Sequence, residues 1–201
     1  MTVIGITGPT GAGKTTVLNV LEELGGTAAD CDAVYHELLL TSVSMLEELK
    51  NRFGPAIFDE KNHLRRKALG AIVFGDKAAL ADLNAITHRH VVAELERRIA
   101  KAQAENRPAI ALDAIALLES GAGGLCGVTV AVTAPEEARV LRIMARENIP
   151  EDYARARVAA QKPSAWFEER CTYTLRNDGD RQAFEGRARA LLEHIIVKED
   201  K

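Results

Sequence analysis

The sequence predicts an α/β fold with a parallel sheet, on three observations. A β-branched run, Val3-Ile4-Gly5-Ile6, leads into the glycine-rich stretch Gly8-Pro9-Thr10-Gly11-Ala12-Gly13-Lys14-Thr15-Thr16, and helical apolar spacing from Val17 to Leu24 leads out. Two later runs, Pro108–Asp113 and Gly127–Thr133, are continuous rather than alternating, as strands covered on both faces are. Helical periodicity fills most of the chain between such runs, the alternation from which parallel sheets are built.

At 201 residues the chain fits one such domain with room for a small helical insertion. Hydrophobic residues make up 47% and aromatics only 4%, so the core is expected to be Leu, Ile, Val and Ala. A net charge of −3 gives no global field for nucleic acid, and any polyphosphate site must be a local gathering of Lys and Arg. Cys31, Cys126 and Cys171 are an odd count with no C-x-x-C, which indicates neither a disulfide framework nor a zinc site. No apolar run approaches about 18 residues, and strand-like residues begin beside Met1, so neither a membrane partner nor a signal peptide is expected. A soluble, cytoplasmic protein is the expectation, monomeric or a weak homo-oligomer.

The first stretch matches G-x-x-x-x-G-K-[ST], a loop that binds the phosphates of nucleoside triphosphates. Gly8, Gly11 and Gly13 let the backbone turn its N–H groups around an anion, with Ala12 and Thr16 completing the cradle. A helix starting near Lys14 adds the partial positive charge of its N-terminus. Lys14 is placed to reach the β- and γ-phosphates of a bound nucleoside triphosphate, and the Thr15 hydroxyl to ligate Mg2+. The bland alternative is a glycine-rich turn that binds nothing; a strand before and a helix after argue against it.

Gly25-Gly26 stops the first helix, and Thr27-Ala28-Ala29 is a short strand ending in Asp30-Cys31-Asp32. Ligands of open α/β sheets bind beyond the carboxyl ends of strands, so Asp30 and Asp32 are candidates for the site. Asp32 can equally cap a helix over 33–40. From residue 33 to about 105 the pattern is helical throughout, with helices expected over 44–53, 65–74, 77–86 and 91–104. A helical block of that length reads as an inserted subdomain for an acceptor substrate. Its basic clusters, Arg65-Arg66-Lys67 and His88-Arg89-His90, are either solvated helix faces or phosphate contacts.

The strand Pro108–Asp113 ends in a carboxylate that either approaches magnesium or begins a loop. Gly121-Ala122-Gly123-Gly124 reads as a flexible turn, and Gly127–Thr133 is the clearest strand in the chain. Pro135, Glu136 and Glu137 open a helix bearing Arg139, Arg142 and Arg146, which Asn148-Ile149-Pro150 ends. A second helix from Glu151 bears Arg155, Arg157, Gln161 and Lys162. Two Arg-bearing helices are what a lid over a triphosphate needs, although each arginine can instead pair with the interleaved acids. Thr172–Arg176 is a last strand, and 182–197 a closing helix.

Five passages together resemble the dephospho-CoA kinase family over nearly the whole chain. They are the loop itself; Asp30-Cys31-Asp32 with His36-Glu37-Leu38; and Phe53-Gly54, Leu64 to Leu69 and Ile72-Val73-Phe74. Asp113 through Leu117-Leu118-Glu119-Ser120-Gly121, and Arg157 to Gln161 followed by Asn177-Asp178-Gly179, complete the set. Ile115 and Arg89 stand where the family's pattern has proline.

The resemblance implies a P-loop NTPase fold: a parallel five-stranded sheet flanked by helices, with a helical acceptor-binding insertion and an Arg-rich lid. Residues 1–32, 107–135 and 172–198 would be the core, 33–106 the acceptor subdomain and 136–171 the lid. It implies transfer of a phosphoryl group from MgATP to the ribose 3′-hydroxyl of dephospho-CoA. Asp30, Asp32, His36, Arg65, His88 and Asp113 would hold that substrate. Asp32 is the candidate to take the hydroxyl proton, and Arg142, with Arg146 in reserve, to neutralise charge on the transferred group. The competing readings are another small-molecule or nucleoside kinase, a GTP-dependent switch and a nucleotide-binding module without catalysis. No N-K-x-D tetrapeptide supports the switch.

Overall fold

A computed structural model describes residues 1–199, and the chain divides into two compact units. The first comprises Met1–Asp30 and the chain from Arg98 onward; the second is Cys31–Arg97.

In the first unit, β1 (Thr2–Thr7) runs into the glycine-rich loop and α1 (Lys14–Glu23), and β2 (Thr27–Asp30) follows. The second unit holds α2 (Cys31–Thr41), α3 (Val43–Phe53), α4 (Arg66–Val73) and the greater part of α5 (Lys77–Ala104). The chain then returns through β3 (Ala109–Asp113) and β4 (Val128–Thr133). The helices α6 (Glu136–Glu147), α7 (Glu151–Ala159) and α8 (Ser164–Glu168) precede β5 (Tyr173–Arg176) and α9 (Arg181–Glu199).

All strands are parallel in the order β2-β3-β1-β4-β5, so β1, which carries the loop, is central. Ile4 and Ile6 of β1 join Ala109, Ala111, Val130, Val132 and Leu175 on one face of the sheet. Val17, Val20 and Leu21 of α1 and Phe184, Ala188, Leu192 and Ile195 of α9 bury against them. Burying each large aliphatic side chain contributes about 1.5–3 kcal/mol, which anchors α1 and hence the end of the loop. Gly5 is tightly approached: a Cβ there would lie 2.7 Å from Leu117 Cδ2 and 2.9 Å from Cys126 Sγ. Burial pushes the Cys126 thiol up to about 12, as befits a packing residue rather than a nucleophile.

The second unit has its own core of Leu39, Met45, Leu49, Phe53, Ile57, Phe58, Leu69, Val73 and Ala79. Ser42 caps α3, its Oγ accepting from Met45 N–H at 3.3 Å, and Gly54 at φ 85° stops it. Three expectations are corrected here. The helices expected over 77–86 and 91–104 are one 28-residue helix, α5. Nothing in Thr87-His88-Arg89-His90 breaks it, and Thr87 Oγ1 donates back to Leu83 O at 2.9 Å within the helix. The helix expected over 33–40 begins at Cys31, which places Asp32 inside the first turn of α2 and removes it as the cap. The turn expected at 121–124 is mostly a 3-10 helix, Ala122–Leu125, which runs one residue past it, with Ala122 buried.

Candidate active site

The loop between β1 and α1 forms the site's floor. Gly8 sits at φ 138°, and a Cβ there would fall 2.0 Å from Val132 O of β4, so no other residue fits. Gly13, the residue before α1, sits at φ 108°, where a Cβ would lie 2.4 Å from Asn177 Nδ2.

The loop carbonyls are held from outside. Arg139 Nε donates to Thr10 O at 2.9 Å, Arg142 Nη1 to Gly11 O at 3.1 Å, and Asn177 Nδ2 to Ala12 O at 2.9 Å. A trans peptide sets its N–H opposite its C=O. Each outward carbonyl therefore turns the following N–H the other way, so the amides of Gly11 and Gly13 face away from those side chains. The N–H groups of Lys14 and Thr15 open α1 as the unpaired donors of a helix start, while Thr16 N–H already donates to Gly13 O at 3.1 Å. Turned amides beside a helix N-terminus form an anion cradle.

Lys14, half-buried, lies across this cradle. Its Nζ is 3.5 Å from Gly8 O and 3.8 Å from Asp113 Oδ1. Both contacts are long, so the ammonium is free to redirect toward an incoming phosphate. Asp113 ends β3, and its register partner on β2 is Asp30, which sets these carboxylates side by side at the carboxyl edge of the sheet. Thr15 is exposed and Thr16 half-buried in the first turn of α1.

Arg142 is thus at the loop, whereas Arg146, one turn further along α6, is exposed and donates to Glu147 Oε1 at 2.7 Å. The remaining candidates belong to the second unit. Asp32 and His36 lie four residues apart on α2, both exposed. Arg65 precedes α4 with its side chain exposed, and His88 is half-buried on α5. Of the cluster His88-Arg89-His90, Arg89 and His90 bind the Glu48 carboxylate, which their hydrogen bonds hold below its usual pKa. Sequence reasoning missed the loop's supports. Arg139 was one lid arginine among several, yet it is 4% exposed, and burial lowers its guanidinium pKa from the ordinary value. Gln161 and Asn177 were legible only as uncharged polar positions within the family's pattern.

A family model described as dephospho-CoA kinase matches residues 2–183. The chain belongs to the dephospho-CoA kinase family. A protein of that name from Corynebacterium diphtheriae is 35% identical over 98% of this chain and 99% of its own. The crystal structure of a Thermus thermophilus protein superposes with a TM-score of 0.77 at 33% identity, covering 96% of this chain and 97% of that one. A dephospho-CoA kinase from Campylobacter jejuni has the same fold, with a TM-score of 0.70 at 23% identity over 98% of each chain.

Of the two prolines absent from the dephospho-CoA kinase pattern, the one at 89 has a visible consequence here. Arg89 leaves α5 unbroken, where a proline would remove a helical hydrogen bond, and it gives Glu48 a partner. At 115 the visible contact is one that a proline would also make, the backbone carbonyl accepting from Thr7 Oγ1 at 3.1 Å. Among the described residues no helix is long and apolar enough to cross a membrane.

Proposed function

We propose that this chain transfers the γ-phosphoryl group of ATP to the ribose 3′-hydroxyl of dephospho-CoA, giving coenzyme A and ADP. The observation that carries the reading is the cradle itself: carbonyls of 10–12 tied outward, with Lys14 folded over the amides on long contacts it can exchange for phosphate. Membership of a family with that name supports the acceptor.

In this reading the amides of Gly11 and Gly13 and the start of α1 hold the β- and γ-phosphates, with Gly8, Ala12 and Thr16 shaping the loop around them. Lys14 follows the γ-phosphoryl group as it moves. The acceptor oxygen bonds to the γ-phosphorus while the bridge to the β-phosphate breaks, and ADP departs with that electron pair. The hydroxyl proton passes to Asp32, and Arg142, exchanging its loop carbonyls for phosphate as the lid closes, neutralises charge on the transferring oxygens. Residues 33–106 receive the acceptor through His36, Arg65 and His88, with Asp30 and Asp113 at the sheet edge. Residues 136–171 act as the lid, with Arg146 available to the nucleotide.

The Thr15 hydroxyl and the Asp113 carboxylate are hard oxygen donors and fit Mg2+, which takes few protein ligands when phosphates supply the rest. Bound there, the ion would neutralise charge between the β- and γ-phosphates.

An ADP-release assay across dephospho-CoA, nucleosides and nucleoside monophosphates tests the acceptor. Turnover with dephospho-CoA alone is expected; preference for a nucleoside would move the chain to another acceptor. Lys14→Ala should nearly abolish turnover with an unaltered far-UV circular dichroism spectrum. Asp32→Asn should lower kcat by ~10²–10⁴-fold with ATP affinity little changed. Wild-type kcat in Asp32→Asn would pass the proton-accepting role to Asp30 or Asp113.

A further inference from the structure

We infer that Gln161 is a positioning residue for the phosphate loop: with Arg139 it holds every polar group of Thr10, and so sets how readily the loop accepts a triphosphate. The inference rests on the proposed function only in taking ATP as the loop's ligand.

Gln161 Oε1 accepts from Thr10 N–H at 2.9 Å, and Gln161 Nε2 meets Thr10 Oγ1 at 2.6 Å. Arg139 Nη2 donates to the same Oε1 at 3.0 Å, while Arg139 Nε donates to Thr10 O at 2.9 Å. These four bonds close a ring through three residues far apart in the chain, with Thr10 9% and Arg139 4% exposed. A side-chain amide suits this position because its oxygen takes two donors while its NH2 serves the hydroxyl. The two converging donors also fix the amide's orientation, since the flipped form would set NH2 against N–H and guanidinium.

Gln161 is itself held. It follows α7, and its N–H donates to Val158 O at 3.2 Å. Arg139 stands in the first turn of α6, so both ends of the α6–α7 hairpin converge on one loop residue. A loop fixed at Thr10 before binding has less conformational freedom left to lose, and affinity rises accordingly. Gln161 acts through Thr10 and need not touch the nucleotide.

The test is calorimetric titration of ATP into wild type and Gln161→Ala, with thermal melts and steady-state KM measured alongside. Gln161 also lines an open cavity of about 440 Å³ with Ile115, Glu119 and Lys162, so its truncation opens to solvent rather than leaving a sealed void. The expected result is ATP affinity weakened by ~10-fold and KM for ATP raised alike, with kcat at saturating ATP within about twofold of wild type. A purely structural role would lower the melting temperature and leave ATP affinity and KM untouched, which overturns the inference.

Gln161→Glu provides the second variant. Its carboxylate accepts from Thr10 N–H and Arg139, and the Thr10 hydroxyl turns to donate, so wild-type thermal stability is expected. With Thr10 still held and Arg139 paired to the new carboxylate, ATP affinity should stay within about threefold of wild type; a loss as large as that of Gln161→Ala would assign the effect to something other than the hold on Thr10. Should Gln161→Ala fail to fold, Gln161→Met, which fills the site but makes neither hydrogen bond to Thr10, takes its place, and wild-type ATP affinity there overturns the inference. A wild-type chain that binds ATP without phosphorylating dephospho-CoA breaks only the proposed acceptor; one that binds no ATP overturns both readings.

Discussion

The arginines of the α6–α7 hairpin divide into two sets. Arg139 and Arg142 give their guanidinium hydrogens to backbone carbonyls of the phosphate loop. Arg146 and Arg157 give theirs to Glu147, and Arg155 to Glu137 and Glu151. Residues 139, 142 and 146 lie on one helical stripe, so periodicity alone cannot separate them. What separates them is the partner within reach. Buried loop carbonyls have no water to bind and need a protein donor, whereas a surface carboxylate exchanges its arginine for solvent at little cost. The hairpin itself closes on Val140, Ile143, Ala154 and Val158, independently of either set.

The largest expected effect comes from the loop-facing set. Arg142→Ala should lower kcat/KM by ~10²–10⁴-fold, as loss of a charge-stabilising arginine does in phosphoryl transfer. Arg146→Ala should remain within about threefold of wild type, as exposed ion pairs contribute little. Equal losses in both variants, read by ADP release, would show that substrates draw Arg146 inward and that the division holds only without them.

Arg139→Met should act on stability. It leaves Thr10 O without its donor, a cost of about 1–3 kcal/mol read from the denaturant midpoint. A midpoint equal to that of wild type would mean that water replaces the guanidinium, so that Arg139 belongs with the solvent-facing set.

The smallest effect is expected at Arg155. Its hydrogen bonds hold the Glu137 carboxyl below the usual range. A carboxyl with a depressed folded-state pKa stabilises the fold above its unfolded pKa, and that contribution is lost as pH falls through the folded value. The melting temperature of Arg155→Ala should therefore sit slightly below wild type at pH 7, and the gap should close in acid once Glu137 is protonated. A gap that persists unchanged would assign the effect to packing rather than charge.

Local signals marked the parts of this protein that neighbours in sequence create. Gly8 to Thr16 between a β-branched run and a helical one specified the loop, and the runs at 108–113 and 127–133 specified buried strands. Helix ends followed where a stop was written, at Gly54 and at Asn148, which takes φ 52°. Where no breaker stood, between 86 and 91, two expected helices merged into one. Asp30 and Asp113 were each legible as strand-ending carboxylates, but their pairing across β2 and β3 was not.

By itself, then, the sequence determined the phosphate-binding loop, the parallel α/β architecture and the family, because each depends on residue types at short, fixed spacing. Only the tertiary structure decided which side chains hold that loop. Thr10 meets residues 129 and 151 positions away, and Ala12 meets one 165 away. Such contacts depend on how β1, α6, α7 and the end of β5 come together in the folded sheet. The buried loop carbonyls then select from many arginines and amides the few that arrive within hydrogen-bond distance.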